Sequence, residues 1–289
     1  MRAEFMTDTT IIHISDTHFT PAGQPDAFNQ QVNPFYKFDL VFSDIAKMAT
    51  KPDFIVITGD LVHEGQAGDY VRLKALIDEE SDQLKVPIFV VLGNHDRTAA
   101  FYDGFLDRPP DSKYYYKLTL GGLDNYFLDT TFEDLEPGYL DAKQLDWLWT
   151  QLEAHPRQPA LIFMHHPLAA AALSQMRFSV LQNSTDLLNV CKAGNVKGIF
   201  AGHIHFPATY TTAGILNAVA DSSAYHIDCR DPHHHYVNDA VGYNIIRVTD
   251  DQGIEVESRR LYWGQEIIKE LLIDQTDFVD PLIFKSQSS

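Results

Sequence analysis

The chain has 289 residues, 45% hydrophobic and 12% aromatic, which is ample for a large α/β domain with a sizeable core. Its 22 Lys and Arg stand against 40 Asp and Glu, a formal net charge of −18, so a nucleic-acid polymer would be repelled and is excluded as the expected partner. The two cysteines, Cys191 and Cys229, exclude a disulfide framework and a paired-cysteine zinc finger, and they suit a reducing compartment.

Met1 to Thr10 holds one Arg and no apolar stretch long enough for a signal-peptide core, and no later segment approaches the roughly 20 apolar residues of a membrane span. A cytoplasmic protein without membrane contact is the expectation. Met1 to Phe5 precede a second methionine, Met6, and read as dispensable or as an alternative start. Residues 1–9 are taken as a disordered start, 10–265 as one catalytic domain, and 266–289 as a C-terminal extension suited to a cap or a homodimer contact.

In chain order, short runs rich in Val, Ile and Phe end abruptly in polar or glycine-containing clusters: Thr10 to Ser15, Phe54 to Thr58, Ile88 to Leu92, Tyr126 to Leu128, Ala160 to Met164 and Gly198 to Ala201. Such runs predict buried strands. Between them, helical periodicity marks Tyr36 to Ala49, Asp69 to Glu80, Asp141 to Glu153 and Thr185 to Ala193, the third with Leu145, Leu148, Trp149 and Leu152 on one face. Tyr210 to Ala220, Tyr243 to Val248 and Ile254 to Tyr262 read as strands without intervening helices, which suggests a second sheet packed on the first. Phe19 to Asn33 and Ser222 to Asp239 lack a period and read as long loops.

Metal-ligand residue types gather where these runs end. Asp16-Thr17-His18 follows the first, Asp60 the second, Gly93-Asn94-His95-Asp96 the third, His165 the fifth and Gly202-His203-Ile204-His205 the sixth. In extended chain alternate residues share a face, so Asp16 and His18 are expected to converge while Thr17 points away. In open α/β sheets ligands bind beyond the carboxyl ends of the strands, so five such endings can meet in one cleft.

The series resembles the calcineurin-like metallophosphoesterase superfamily, whose pattern is Asp-x-His, Gly-Asp, Gly-Asn-His-Asp/Glu, His and Gly-His-x-His, from about Ile11 to His205. The resemblance implies a four-layer α/β/β/α sandwich: two facing mixed sheets flanked by helices. It implies two divalent ions (Mn, Fe, Zn or Co), one held by Asp16, His18, Asp60 and His205 and the other by Asp60, Asn94, His165 and His203, with Asp60 bridging. His165 is preferred to its neighbour His166 by likeness to the family's His-His-Pro arrangement. A metal-bridging hydroxide would attack phosphorus, with Asn94 and His95 facing the substrate and His95 as the catalytic residue that steadies the developing charge or protonates the leaving alkoxide.

One departure bears on His95. Where some members place an Asp three residues after the Gly-Asp aspartate, this chain has His63, leaving Glu64 or Asp96 to orient His95, or the dyad absent and His95 a less basic acid. Arg97 could meet a phosphate oxygen, and Asp231 to His235 forms an unusual cluster in an expected loop. The short Asp-Thr-His motif and the Gly-Asn-His-Asp-Arg run most resemble class III cyclic nucleotide phosphodiesterases and related glycerophosphodiesterases. The expected substrate is a small phosphodiester, first a 3′,5′-cyclic nucleotide, with a glycerophosphodiester or a phosphomonoester as the alternative and a non-catalytic binding scaffold less favoured. Substrate choice is expected to lie in Phe19 to Asn33 and Tyr225 to Asp239, where Phe28, Tyr225 and Tyr236 offer rings for stacking on a base or, equally, for core or dimer contacts.

Overall fold

The structure, a computed structural model, describes residues 8–26, 33–133, 135–231, 233–249, 251, 253–262 and 267–272. The readings placed on Met1 to Phe5 and on Phe28 lie outside the described residues.

The first half of the chain alternates strand and helix: β1 (Thr9–Ile14), α1 (Pro34–Ile45), β2 (Phe54–Thr58), α2 (Ala67–Leu84), β3 (Ile88–Val91), α3 (Thr98–Gly104), β4 (Tyr116–Leu120), β5 (Leu123–Phe127), α4 (Ala142–Ala154) and β6 (Pro159–Phe163). After α5 (Ser184–Cys191) come β7 (Asn195–Ala201), β8 (Ala208–Thr212), β9 (Ile215–Val219), β10 (His226–Asp228), β11 (His234–Asn238), β12 (Val241–Val248), β13 (Ile254–Leu261) and β14 (Ile267–Leu272). They form two large mixed sheets, in the orders β13-β12-β1-β2-β3 and β4-β5-β6-β7-β9-β8, and a small one, β10-β11-β14.

The central strands β1, β2 and β3 are mutually parallel, as are β5, β6, β7 and β9. Every residue of β1, β2, β5 and β6 is buried, because each of these strands is covered on both faces. Ile12 and Ile14 of β1 pack toward Phe38, Val41, Phe42 and Ile45 of α1 and toward α2, while Ile11 faces Phe127, Leu161, Phe163 and Phe200 of the other sheet. Leu148 and Leu152 of α4 and Leu187 of α5 cover the far face of the second sheet. Helix, sheet, sheet, helix is therefore the layer order, as the motif series implied.

Three sequence expectations differ from the structure. The strands expected at Tyr210 to Ala220, Tyr243 to Val248 and Ile254 to Tyr262 do not make a sheet of their own: β8 and β9, joined through Ala213 and Gly214 at φ 52° and 81°, complete one large sheet, and β12 and β13 complete the other. On α4 the buried line is Gln144, Leu148 and Leu152, and Trp149 is 42% exposed. A glutamine can hold that inner position because its side-chain amide bonds both backbone groups of Asp129 at 2.8 Å, so the true stripe is rotated from the apolar one. Within Ser222 to Asp239, two strands stand where a loop was expected.

Helix ends follow ordinary capping chemistry. Asn33 accepts the Phe35 N–H at 3.0 Å with Pro34 opening α1, and Asp141 accepts the Gln144 N–H at 2.8 Å at the start of α4. These caps fix where the connections cross from sheet ends to helices. The consequence is that the carboxyl ends of β1, β2, β3, β6 and β7 lie along one edge of the stacked sheets.

Candidate metal centre

All seven expected metal-ligating residues follow those strand ends, and Asp16, His18, Asp60, His165, His203 and His205 are buried while Asn94 is half-buried. Asp16 and His18 do not converge through strand pleating, as the period-2 reading expected. β1 has ended at Ile14, and Asp16, His18, Asp60, His203 and His205 carry φ of 54°, 42°, 48°, 73° and 57°. Left-handed backbone at a non-glycine residue is uncommon and costs about 1–3 kcal/mol, so the surroundings must hold it. Here the Asp16 and His18 N–H groups donate to Gly59 O and Asp60 O at 3.1 and 2.8 Å, and Thr17 turns inward, its hydroxyl donating to Leu61 O at 2.8 Å.

Glycine is required at two of these turns. A Cβ on Gly59, at φ 84°, would sit 2.5 Å from His165 Nδ1, and one on Gly202 would sit 1.6 Å from Ser15 Oγ.

The donor atoms fall into two groups that share one oxygen. Asp60 Oδ2 lies 3.4 Å from His18 Nε2 and 3.3 Å from His165 Nε2. Around the first contact, His205 Nε2 is 3.1 Å from His18 Nε2 and 3.5 Å from Asp16 Oδ1, and donor atoms of all four residues lie within 4.8 Å of one another. Around the second, His165 Nε2 is 3.1 Å from Asn94 Oδ1 and 3.0 Å from His203 Nδ1.

The hydrogen-bond chemistry of these groups tests whether cations fit. His165 Nδ1 is 2.8 Å from Thr58 O and His205 Nδ1 is 2.9 Å from Tyr225 O. A carbonyl only accepts, so each Nδ1 carries the proton and each Nε2 presents a lone pair. Those lone pairs face other acceptors, an arrangement that needs a positive charge between them. Burial disfavours a charged ring at His165, yet the Asp60 and Asp16 carboxylates and the Thr58 carbonyl together carry its pKa up to about 9. Divalent ions can supply that charge in place of a proton. Burial holds His18 and His205 below the ordinary histidine range, in the neutral form a ligand requires.

His166 also lies close to His165 and His203. Its two ring nitrogens are engaged elsewhere, Nδ1 with Thr130 Oγ1 at 2.7 Å and Nε2 with Glu136 O at 3.1 Å.

His95 is half-buried beside the paired groups, its N–H donating to Asp60 Oδ1 at 2.9 Å and its ring stacked on His63 at 4.4 Å and 26°. Asp96 is committed away from it, accepting from Leu61 N, Val62 N, Gly93 N and Tyr70 OH at 2.9–3.1 Å. Burial and the nearby Asp60 charge raise Asp96 to about 6. Glu64 pairs with Arg97 at 3.0 Å. His63, which stands at the departure from the family pattern, instead bridges, its Nδ1 lying 3.3 Å from His18 Nδ1.

Sequence reading missed the supports. The Ser222 hydroxyl donates to Asp16 O at 3.0 Å and accepts the Ala224 and Tyr225 N–H groups, which shapes the turn whose carbonyl orients His205. Fully buried Lys37 braces the same turn through Ala224 O and Asp239 Oδ1. Tyr225, for which base stacking and a core role were both open, is buried against His205 at 4.2 Å between ring centres. Glu136, in the β5–α4 connection, lies 3.4 Å from both Asn94 Nδ2 and His203 Nε2. No motif surrounds Glu136, so local sequence carried no signal of it.

The Asp231 to His235 cluster sits elsewhere, on the small sheet. His233 is exposed, His234 lies 3.2 Å from Asp231 and 3.4 Å from Glu270, and His235 is buried. Among the described residues, the groups whose spacing could hold a metal ion are those built from Asp16, His18, Asp60 and His205 and from His165, His166 and His203. No described helix is long and apolar enough to cross a membrane.

Comparison with known proteins bears on these groups. A probable cyclic nucleotide phosphodiesterase of Rhodococcus erythropolis is 29% identical over 220 residues, 74% of this chain and 71% of that one. A probable glycerophosphodiester phosphodiesterase GpdQ of Arcobacter nitrofigilis is 27% identical over 259 residues, 84% of this chain and 90% of the other. A crystal structure of a dimetal phosphatase from Danio rerio shares the fold with a TM-score of 0.55 at 16% identity, covering 89% of this chain and 99% of that one. The profile of the calcineurin-like phosphoesterase family matches residues 9–207, the span from β1 to just past His205. The chain belongs to that family, and its chemistry is metal-dependent hydrolysis of a phosphoric ester.

Proposed function

We propose that the protein hydrolyses a small phosphodiester, with 3′,5′-cyclic nucleotides as the first substrate class, using two divalent ions in the Asp16, His18, Asp60, His205 group and the Asp60, Asn94, His165, His203 group. The observation that carries the reading is the sharing of Asp60 Oδ2 between two sets of inward-facing lone pairs. Mn, Fe, Zn or Co all suit His, Asp and Asn donors. When bound, such a pair polarises a phosphoryl oxygen and lowers the pKa of a water.

The remaining work falls to this chain's residues. Among these ligands only Asp16 and Asp60 are carboxylates, so two dications keep net positive charge for a phosphoryl group. Asp60 Oδ1 fixes the turn that carries His95 by accepting its N–H. His95, itself half-buried, donates a proton to the departing alkoxide, which leaves poorly as an anion. Its stack on His63 restrains the ring. The preference for a diester draws on the similarity to the Rhodococcus protein, and the similarity to the GpdQ protein keeps a glycerophosphodiester as the second reading. Residues after Tyr225, including His226 and Asn238, line a cavity of about 660 Å³ with Phe206 and Tyr262, and none of the donor residues or His95 is among its lining. The two thiols, unpaired at Cys191 and Cys229, accord with a reducing, cytoplasmic setting.

The test is a screen of chelated, Mn-reloaded protein against cyclic AMP, cyclic GMP, glycerophosphocholine, bis(p-nitrophenyl) phosphate and p-nitrophenyl phosphate. Highest catalytic efficiency on a cyclic nucleotide is the expected result. A lead for glycerophosphocholine would move the assignment to the second reading, and a lead for p-nitrophenyl phosphate would overturn the diester preference.

A further inference from the structure

Glu136 comes from a connection that none of the sequence motifs reaches, yet it touches two members of one donor group and neither end of the other. Its Oε2 is 3.4 Å from Asn94 Nδ2, and its Oε1 is 3.4 Å from His203 Nε2. The carboxylate is itself positioned: Oε1 accepts the Ser179 hydroxyl at 2.9 Å, and the backbone carbonyl of the same residue engages His166 Nε2 at 3.1 Å. The side chain remains 29% exposed, so it stands at the open rim of the centre.

Two ambiguities of the second donor group end at this carboxylate. An asparagine amide has an oxygen that can bind a cation and a nitrogen that cannot, and a half-turn exchanges them. A carboxylate beside Nδ2 accepts from the NH2 and repels Oδ1, so it holds Oδ1 toward His165 Nε2, 3.1 Å away. A neutral imidazole has one donor nitrogen and one lone pair. A carboxylate beside His203 Nε2 favours the proton there and leaves the lone pair on Nδ1, which is the nitrogen facing His165 at 3.0 Å. His203 Nε2 is buried and has no partner of good hydrogen-bond geometry besides this approach, whereas His165 and His205 direct their second nitrogens to carbonyls at 2.8 and 2.9 Å. His203 is thus the ligand whose tautomer depends on a removable side chain.

We propose that Glu136 is the positioning residue of the second ion: it sets the Asn94 amide orientation and the His203 tautomer, and so controls occupancy of the Asn94, His165, His203 group without binding the ion. This rests on the two-ion reading above. Ser179 holds Glu136 in place, and its hydroxyl contributes at one remove.

The experiment is equilibrium dialysis of the chelated protein against Mn(II) alone, with no substrate, for wild type, Glu136→Gln, Glu136→Ala and Ser179→Ala, with thermal melting of each apo-protein. Wild type should take up two ions. Both Glu136 variants should hold one ion as wild type does and bind the other 10- to 100-fold more weakly, the range usual for loss of a ligand-orienting carboxylate, with Ser179→Ala shifting it less. In turnover the same variants should regain most of their kcat at high Mn, which loss of a catalytic group would not allow. Glutamine keeps the size and the contact to Ser179, so a folding defect confined to Glu136→Ala leaves Glu136→Gln as the deciding variant. Two ions bound by Glu136→Gln with wild-type affinity would overturn this proposal alone. A wild type that binds fewer than two ions would overturn the two-ion reading with it.

Discussion

The two halves of the centre are built from similar residues and sit in different surroundings. In the Asp16, His18, His205 half, every side chain is buried, His205 is pinned to Tyr225 O, and a brace of Ser222, Ser223 and Lys37 lies behind. In the Asn94, His203 half, Asn94 is half-buried and the orienting group at the rim is a partly exposed carboxylate. Equal ligand number therefore does not mean equal hold. Under the two-ion reading, the enclosed half should keep its ion and the open half should exchange it.

The largest effect expected follows from the atom the halves share. Asp60→Asn should remove the charge from both, and catalytic efficiency should fall at least about a thousandfold, ~4 kcal/mol, with metal analysis showing both ions weakened. Retention of two tightly bound ions would end the bridging assignment. His95→Ala comes next, with kcat lower by roughly 10²–10⁴ and both ions retained; metal loss in that variant would make His95 a ligand. The comparison itself is broken or sharpened by Asn94→Ala against His205→Ala under timed chelation. Asn94→Ala should lose the fast-exchanging ion and keep the slow one, and His205→Ala should release the slow one.

The smallest effect concerns the frame under both halves. His13 is fully buried on β1, 2.8 Å from Thr58 Oγ1 and edge-on to Phe163 and Phe200, and burial lowers its pKa from 6.5 to about 3. A base whose folded pKa is depressed contributes stability above its unfolded pKa and loses it as pH falls toward the folded value. Between pH 7 and pH 5 the chelated wild type should lose about 2 kcal/mol from this group. His13→Phe, which keeps a ring there, should flatten that limb by the same amount in urea titrations at the two pH values. Parallel curves would show that acid acts elsewhere.

What was legible in the sequence is what local order encodes. β1 and β2 were readable because they are buried on both faces and so carry unbroken apolar runs, and the ligand motifs were readable because each directly follows its strand. β4, with Tyr116 to Leu120 only partly covered, had no such run, and α3 is a seven-residue helix too short for a period. Trp149 misled because a hydrogen-bonded Gln144 occupies the buried stripe. Supports such as Glu136, Ser222 and Tyr225 reach the centre only through tertiary folding. The motifs foretold which side chains would meet, whereas the means of meeting, left-handed turns past the strand ends, required the backbone itself.

The pairing of β1 has a consequence for synthesis. β1 joins β2 on one side, but its other neighbour is β12, which lies near the far end of the chain. During translation the Thr9–Ile14 edge waits for Val241–Val248, and at about 5–20 residues per second that interval is roughly ten to fifty seconds. Throughout it an apolar strand presents open amide and carbonyl groups to other nascent chains. High contact order slows the final closure further. Yield on overexpression should therefore respond to growth temperature and holdase supply.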